Sequence, residues 1–201
     1  KRRVEEGELG DIYFVRTGWR RPMGMFPSPV SRRATGIVDR NWFNQRAMGG
    51  GVLRDLGSHM LDLSLWLLGF PQVSEILSAN YAMFTPDHAA AYGRRADAED
   101  LAAGMIRFSN GASLQLEVSF GSFVESEVVF LELYGARGGA ALRNGLRLFG
   151  GTNSAYTITV PQRFDMRVET PQAHFIRVIQ EGSEPLVTAE QGALFGSYEG
   201  L

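Results

Sequence analysis

The sequence predicts an α+β domain built on an open, mostly antiparallel β-sheet with helices on one face. Two observations lead to this fold class. One long segment has the three-to-four residue spacing of an amphipathic helix, and most segments after it have the two-residue spacing of strands. Because those strands follow one another without intervening helices, they favour an antiparallel sheet over a doubly wound one. We expect the 201 residues to form one domain, 1–201.

The first quarter of the chain contains one predicted strand and a long irregular segment. Lys1 to Gly7 is typical of the last turns of a helix that ends at a glycine. Asp11 to Gly18 is rich in β-forming side chains and is predicted to be a strand. From Trp19 to Ala47 no periodicity persists, and three prolines and two arginine pairs occur. We therefore predict a long surface loop there, with the arginine pairs as solvated charges. The alternative is that Arg20-Arg21 and Arg32-Arg33 clamp an anion.

The clearest helix in the sequence runs from Val52 to Leu68, and Gly69 and Pro71 end it. Its apolar stripe consists of Leu53, Leu56, Met60, Leu63 and Leu67. Three glycines, Gly49 to Gly51, precede it. No G-x-G-x-x-G or Walker pattern occurs in the chain, so we interpret the triplet as a flexible start to the helix and not as a phosphate loop.

Seven segments after this helix are predicted strands. The strongest signal is the Asn110-Gly111 dipeptide, which favours a tight hairpin. The strands are Val73–Phe84, Asp100–Phe108, Ala112–Phe120, Ser126–Tyr134, Ala140–Arg143, Leu146–Phe149 and Tyr156–Val160. Pro86 to Ala98 is predicted to be a loop. Two further helices, Gln172–Glu181 and one capped by Thr188, are predicted to follow.

The composition argues against several classes of function. A formal net charge of −2 gives no support to nucleic-acid binding, and the absence of cysteine excludes disulfides and thiolate metal sites. No apolar run reaches the ~18 residues of a membrane span. We expect no nucleic-acid or membrane partner and a cytoplasmic location.

Three polar residues on the long helix have a spacing that suits chemistry. Asp55 and His59 are four residues apart, and Asp62 lies three residues beyond His59, so the spacing places all three on one face. A histidine can accept a proton from an alcohol near neutral pH, and an adjacent carboxylate would orient and polarise its ring. The residues alone leave two other interpretations open, which are a solvated helix face with a local ion pair and a divalent metal site.

This helix and its flanks resemble the second domain of the Gfo/Idh/MocA family, which includes glucose–fructose oxidoreductase and inositol dehydrogenase. The motif reads Gly49-Gly50-Gly51, then Asp55-x-Gly57-x-His59-x-x-Asp62, then Trp66-Leu-Leu-Gly69. Other matching segments occur in the family's order, at Glu6–Ile12, Ala98–Asp100, Ile106–Ala112, Leu133–Gly139, Phe175–Gly182 and Pro185–Gly192. The resemblance covers nearly the whole chain.

The resemblance implies a dihydrodipicolinate-reductase-like C-terminal domain cut from a longer protein, with the Rossmann domain absent from this chain. His59 would be the general acid/base, Asp55 its partner and Asp62 a substrate contact. The cofactor, NAD or NADP, would be bound mainly by the missing N-terminal domain, which would also supply a lysine. We therefore assign no cofactor-binding and no metal-binding residues to this chain, and we expect it to be inactive alone.

The resemblance also implies the substrate class and the assembly. The full protein would be an NAD(P)-dependent oxidoreductase whose small-molecule substrate is a sugar, polyol or related cyclic alcohol. The alternative is a non-catalytic member whose C-terminal domain is a binding or assembly module. Both faces of the strand Val128 to Tyr134 are largely apolar, and the helices can cover only one face of the sheet. We therefore expect a homo-oligomer that forms through the open sheet face.

Overall fold

The computed structural model describes residues 1–25, 30–33, 36–39, 41–152, 155–161 and 169–198. Its strands are β1 (Ile12–Pro22), β2 (Val30–Arg33), β3 (Gly36–Asp39), β4 (Val73–Tyr81), β5 (Leu101–Phe108), β6 (Ser113–Ser122), β7 (Val128–Gly135), β8 (Gly139–Leu142), β9 (Leu146–Thr152) and β10 (Ala155–Thr159). Its α-helices are α1 (Arg2–Glu5), α2 (Ser58–Leu68), α3 (Thr85–Ala90), α4 (Pro171–Glu181) and α5 (Ala189–Tyr198). A π-helical turn, Leu53–Gly57, leads directly into α2.

Eight of these strands form one open sheet in the order β10-β9-β8-β7-β1-β6-β5-β4, and β2 and β3 form a separate hairpin. Within the large sheet β1 pairs in parallel with β6, and the other neighbouring strands are antiparallel. The predicted fold class, an open and mostly antiparallel sheet in an α+β domain, is confirmed.

The hydrophobic core lies between one face of the sheet and the helix that begins at Leu53. Buried residues alternate with more exposed ones along most of β5 and the first part of β6, as expected for strands with one face against a helix. The buried apolar side chains from the sheet include Val15, Ile106, Leu114, Val118, Phe120, Leu131 and Leu133. They pack with Leu56, Met60, Leu61 and Leu65 of the helix. This burial fixes the helix on the sheet and so sets the position of its outer face.

The predicted loop from Trp19 to Ala47 is wrong in two places. β1 continues through the arginine pair to Pro22, and β2 and β3 pair as an antiparallel hairpin. The first arginine pair, Arg20-Arg21, also has partners. Arg20 Nε lies 3.3 Å from Glu117 Oε1, and Arg21 Nε lies 3.2 Å from Glu127 Oε1. Carboxylates on neighbouring parts of the sheet therefore hold cations that the sequence pattern placed in solvent.

Two smaller differences concern the segment after β4. This strand ends at Tyr81, and the predicted loop contains the short helix α3. The side chain of Asp100 explains both, since its Oδ2 accepts hydrogen bonds from Phe84 N at 2.6 Å and Thr85 N at 2.8 Å. A distant carboxylate thus satisfies the N–H groups at the start of α3. No helix in the described part of the chain is long and apolar enough to span a bilayer.

The face of the sheet opposite the helix, which we call the open face, is partly charged and partly apolar. Glu117 lies within ion-pair distance of Arg16 and Arg20 at its centre, and Glu132 pairs with Arg16 at 3.9 Å. The apolar side chains on either side of this centre stay accessible, and they include Leu77, Met105, Tyr134 and Ile158, of which Leu77 is 77% exposed. The described helices therefore leave this face uncovered.

Candidate active site

The helix that bears the candidate residues begins at a tightly packed glycine triplet. A Cβ at Gly50 would lie 2.3 Å from the carbonyl oxygen of Trp42. Gly51 has a φ of +118°, and a Cβ there would lie 2.3 Å from Glu99 Oε1. These distances leave no room for any side chain, so the interpretation of the triplet as a flexible start is wrong. Glycine is required at these positions because two other segments press against the backbone.

Glu99 occupies the N-terminus of this helix. Its side chain is buried, and its Oε1 accepts a hydrogen bond from Leu53 N at 3.1 Å. Its backbone carbonyl accepts another from Val52 N at 3.1 Å. A carboxylate at this end complements the positive end of the helix dipole and satisfies N–H groups that have no partner within the helix. It also fills the position that a bound phosphate would take.

The only lysine of the sequence, Lys1, occupies the opposite end of the same helix. Lys1 Nζ donates hydrogen bonds to the carbonyl oxygens of Trp66 at 2.7 Å and Leu67 at 3.3 Å. It also lies 5.6 Å from the centroid of the Trp66 ring. Gly69, with a φ of +80°, ends the helix in the left-handed conformation. The helix is therefore held at each end by a side chain of the charge that its dipole favours.

The buried side of the helix differs from the predicted stripe. It includes Leu61 and Leu65, which the predicted stripe omits, whereas Leu53 and Leu63 are only half-buried. The π-helical turn shifts Leu53 around the helix axis relative to the residues of α2, because a wider turn advances fewer degrees per residue. Gly57 is buried in the same turn, where a Cβ would lie 2.9 Å from Leu53 Cδ1.

The three predicted site residues lie along the outer side of this helix. His59 is exposed, and Asp55 and Asp62 are half-buried. Within the residues that the structure describes, no hydrogen bond or ion pair joins Asp55 to His59. Burial raises the pKa of the Asp62 carboxyl, and the charge of His59 opposes part of that rise. Asp62 thus has an electrostatic interaction with His59, whereas no hydrogen bond or ion pair among the described residues joins Asp55 to the histidine.

Trp19 completes the surroundings of His59, although no sequence pattern points to it. The two ring centroids are 6.0 Å apart and the ring planes are tilted by 45°. Trp19 belongs to β1, beyond the point where the predicted strand ends. Only the long-range packing of α2 on β1 brings the indole to the imidazole, so neither residue spacing nor composition could have indicated this contact.

The indole of Trp19 is itself held by two charged side chains. Its Nε1 donates a hydrogen bond of 2.7 Å to Glu127 Oε1, which also accepts from Arg21 Nε at 3.2 Å. The Arg21 guanidinium carbon lies 4.9 Å from the centroid of the Trp19 ring, within the range of a cation–π interaction. Glu127 directly precedes β7. Side chains from β1, from α2 and from the connection before β7 therefore meet at the Trp19 ring.

The chemistry available to this site is proton transfer at an accessible imidazole. His59 is exposed and lies against the ring of Trp19, and Asp62 follows three residues later on the same helix. Among the described residues, no group of three or more histidine, aspartate or glutamate side chains is arranged to hold a metal ion.

We expect Asp62→Asn to stabilise the fold at neutral pH. Burial raises the pKa of the Asp62 carboxyl above its usual 3.8, and the charge of His59 opposes part of that rise. A carboxyl whose pKa is raised on folding binds its proton more tightly in the folded state, so stability falls as pH rises from about 3.8 through the folded-state pKa. The asparagine variant should lack this fall. Urea unfolding of the parent and the variant between pH 3 and pH 7 measures how the free energy of unfolding depends on pH. An Asp62→Asn variant that is less stable than the parent at pH 7 would contradict the expectation.

Comparison with known proteins identifies the family. A sequence profile described as the GFO/IDH/MocA C-terminal domain matches residues 1–141, which is more than half of the chain. The chain belongs to this family. A Gfo/Idh/MocA assignment agrees with the order of helix and strands described above and with the motif on the long helix.

Curated relatives of this Gfo/Idh/MocA chain are named as oxidoreductases. A protein of Amycolatopsis mediterranei that carries the name of a UDP-kanosamine synthase oxidoreductase subunit is 36% identical over 147 residues, which cover 68% of this chain and 37% of that protein. D-glucoside 3-dehydrogenase of Escherichia coli is 30% identical over 149 residues, covering 71% of this chain and 39% of that protein. The chain thus spans about two fifths of the length of these relatives.

Solved structures show the same Gfo/Idh/MocA fold. The apo form of levoglucosan dehydrogenase superposes with a TM-score of 0.72 at 19% sequence identity, covering 98% of this chain and 58% of that one. At that identity the likeness shows the fold, and the chemistry has to be argued from the residues of this chain.

Proposed function

We propose that this chain is the substrate-binding and oligomerisation part of an NAD(P)-dependent oxidoreductase that acts on a sugar, polyol or related cyclic alcohol. The observation that carries the proposal is the exposed imidazole of His59 on a helix that Glu99 and Lys1 hold at its two ends. The names of the relatives support the substrate class, since they include a D-glucoside 3-dehydrogenase and a levoglucosan dehydrogenase. The absence of cysteine is consistent with a cytoplasmic protein.

In this proposal His59 is the catalytic acid/base. During oxidation of an alcohol, the imidazole accepts the hydroxyl proton while the hydride of the carbinol carbon leaves, and a carbonyl group forms. In the reverse direction the protonated ring returns the proton to the carbonyl oxygen. Asp62, three residues beyond His59 on the same helix, accepts a hydrogen bond from a second substrate hydroxyl in this proposal. Asp55 acts as the partner carboxylate once substrate orders this face.

Among the described residues, the two helix starts that already hold a carboxylate do not fit a dinucleotide phosphate. The helix start after the glycine triplet already holds the Glu99 carboxylate, and the start of α3 holds the Asp100 carboxylate. Either negative charge would repel a pyrophosphate. A solved relative is described as a complex with NADH, and we propose that NAD or NADP is bound by a part of the protein outside this chain and there accepts or supplies the hydride.

Turnover of the complete protein tests the proposed function. We expect oxidation of at least one compound from a panel of free sugars, glycosides, anhydrosugars and cyclic polyols, measured as reduced cofactor with NAD⁺ and with NADP⁺ in turn. If the protein binds cofactor but turns over no member of the panel, the alternative of a non-catalytic binding or assembly module replaces this proposal.

We also propose that the open face is the surface through which copies of the chain associate. It exposes apolar side chains such as Leu77 and Met105 beside a centre that contains both Arg16 and Glu117. A face with both charges can pair with itself across a two-fold axis, since each arginine can meet a glutamate of the other copy. A stable interface of this kind buries well over ~1,000 Å² in total.

Light scattering should therefore give the 201-residue chain a mass of at least twice 22.2 kDa. Leu77→Glu, at the most accessible apolar position named on this face, should shift the chain towards monomer. Phe175→Glu, on the exposed side of α4, is the matched control and should leave the mass unchanged. A parent chain that remains monomeric at high concentration would refute this part of the proposal.

A further inference from the structure

We propose that Glu127 is a positioning residue for His59 and that it acts through the ring of Trp19. The inference rests on the proposed function, because it concerns the group that we assign to proton transfer. No hydrogen bond among the described residues joins Glu127 to the imidazole of His59. The Glu127 carboxylate instead accepts a hydrogen bond from the indole of Trp19, and this indole lies against the imidazole.

The imidazole of His59 has few contacts that could hold it in one orientation. It is exposed, and no hydrogen bond to Asp55 fixes it in the described part of the chain. A side chain on an exposed helix face samples several rotamers, and ordering it costs conformational entropy. The ring contact with Trp19, 6.0 Å between centroids, is the short-range interaction that the structure provides. A tilted pair of aromatic rings favours one arrangement of the two side chains over the others.

That contact is useful only if the indole is itself fixed. Trp19 is half-buried near the end of β1, so backbone pairing holds its Cα while the ring could still turn. The 2.7 Å hydrogen bond from Nε1 to Glu127 Oε1 sets the direction of the ring. Arg21 lies two residues further along the same strand, so it projects to the same side, where it pairs with Glu127 and covers the ring. The three side chains therefore form a closed group, in which Glu127 is the shared acceptor.

Proton transfer is sensitive to this type of constraint. A displacement of about 1 Å in a reacting group can cost roughly 10²-fold in rate. Loss of Glu127 would release the indole and, with it, the preferred orientation of His59. Substrate binding depends on other groups, so the loss should fall on kcat more than on KM.

The experiment compares variants of the complete protein. Glu127→Ala should lower kcat by about 10-fold to 100-fold and change KM by less than about threefold. Glu127→Gln keeps an oxygen that can accept the indole N–H and should retain kcat within about threefold. Glu125→Ala is the matched control, since Glu125 is exposed in the same connection between β6 and β7, and it should behave as the parent. On a Trp19→Phe background, which lacks the N–H donor, Glu127→Ala should have little further effect.

A spectroscopic measurement separates positioning from general stability. The ring current of Trp19 displaces the NMR resonances of the His59 ring protons, which are assigned by their loss in His59→Ala. In Glu127→Ala this displacement should shrink, whereas in Glu127→Gln it should persist, and both variants should keep the parent's unfolding midpoint. A Glu127→Ala protein with parental kcat and parental His59 resonances would overturn the inference and leave the role of His59 intact. Parental turnover in His59→Ala would instead overturn the proposed function.

Discussion

His59→Ala in the complete protein should lower kcat by about 10²-fold to 10⁴-fold, which is the usual cost of losing a general acid/base. The proton released by the alcohol would then have to reach water without a positioned acceptor. Because His59 is exposed on the outer side of its helix, the truncation removes no core contact, and the unfolding midpoint should not fall. Steady-state turnover with the best substrate of the panel, at saturating cofactor, measures the effect.

A second histidine provides the control for this experiment. His174 lies on α4, where its ring is within 3.3 Å of Glu169 and accepts a hydrogen bond from Leu186 N at 3.2 Å. His174→Ala removes an imidazole of the same chain at a position away from the candidate site, and it should leave kcat within about threefold of the parent. If His59→Ala also stays within that range, His59 is not the acid/base.

Gly51→Ala should strongly destabilise the domain, with a loss of more than about 2 kcal/mol in the free energy of unfolding. Two costs combine at this position. A φ of +118° is strained for any residue with a Cβ, and the new methyl group would lie 2.3 Å from a buried carboxylate oxygen of Glu99. The clash would displace Glu99 from Leu53 N and leave the start of the helix without its partner.

Gly145 offers a matched control for this effect. Its φ of +116° is nearly the same as that of Gly51, but a Cβ there would meet nothing within 4 Å. Gly145→Ala therefore carries the backbone cost alone, and the difference between the two variants in urea unfolding isolates the contact with Glu99. Equal losses of unfolding free energy in the two variants would contradict the prediction, because the contact of the new methyl group with Glu99 would then add no cost.

Local patterns are sufficient to predict most of the fold. The Asn110-Gly111 turn and the two-residue period of β5 and β6 depend on neighbouring residues, and the structure confirms the hairpin that they predict. The continuation of β1 past Gly18 could not be predicted, because two arginines and a proline do not form a strand pattern. The two arginines pair instead with Glu117 and Glu127, which lie about a hundred residues later in the chain. Long-range ion pairs of this kind leave no trace in residue spacing.

The candidate site likewise combines features that the sequence predicts with features that depend on the completed fold. The spacing of Asp55, His59 and Asp62 on one helix is visible in the sequence, and the roles assigned to these residues stay a prediction. The π-helical turn is not visible, because a single wide turn changes the periodicity of only one segment. The two charges that hold the helix ends, Glu99 and Lys1, come from other parts of the chain. Their contacts depend on how the helix packs on the sheet, which follows from the completed fold and not from any local pattern.

The central place of β1 in the sheet also bears on how the domain forms. Its two neighbours, β6 and β7, lie about a hundred residues later in the chain. Each of these pairings closes a long loop before it gains any contact, and a high proportion of such distant contacts slows folding. The hairpin of β5 and β6 closes a short loop and can form early, but the core beneath the helix stays incomplete until β1 is inserted between β6 and β7. Among the described strands, the pairings of β1 therefore carry the largest cost of loop closure.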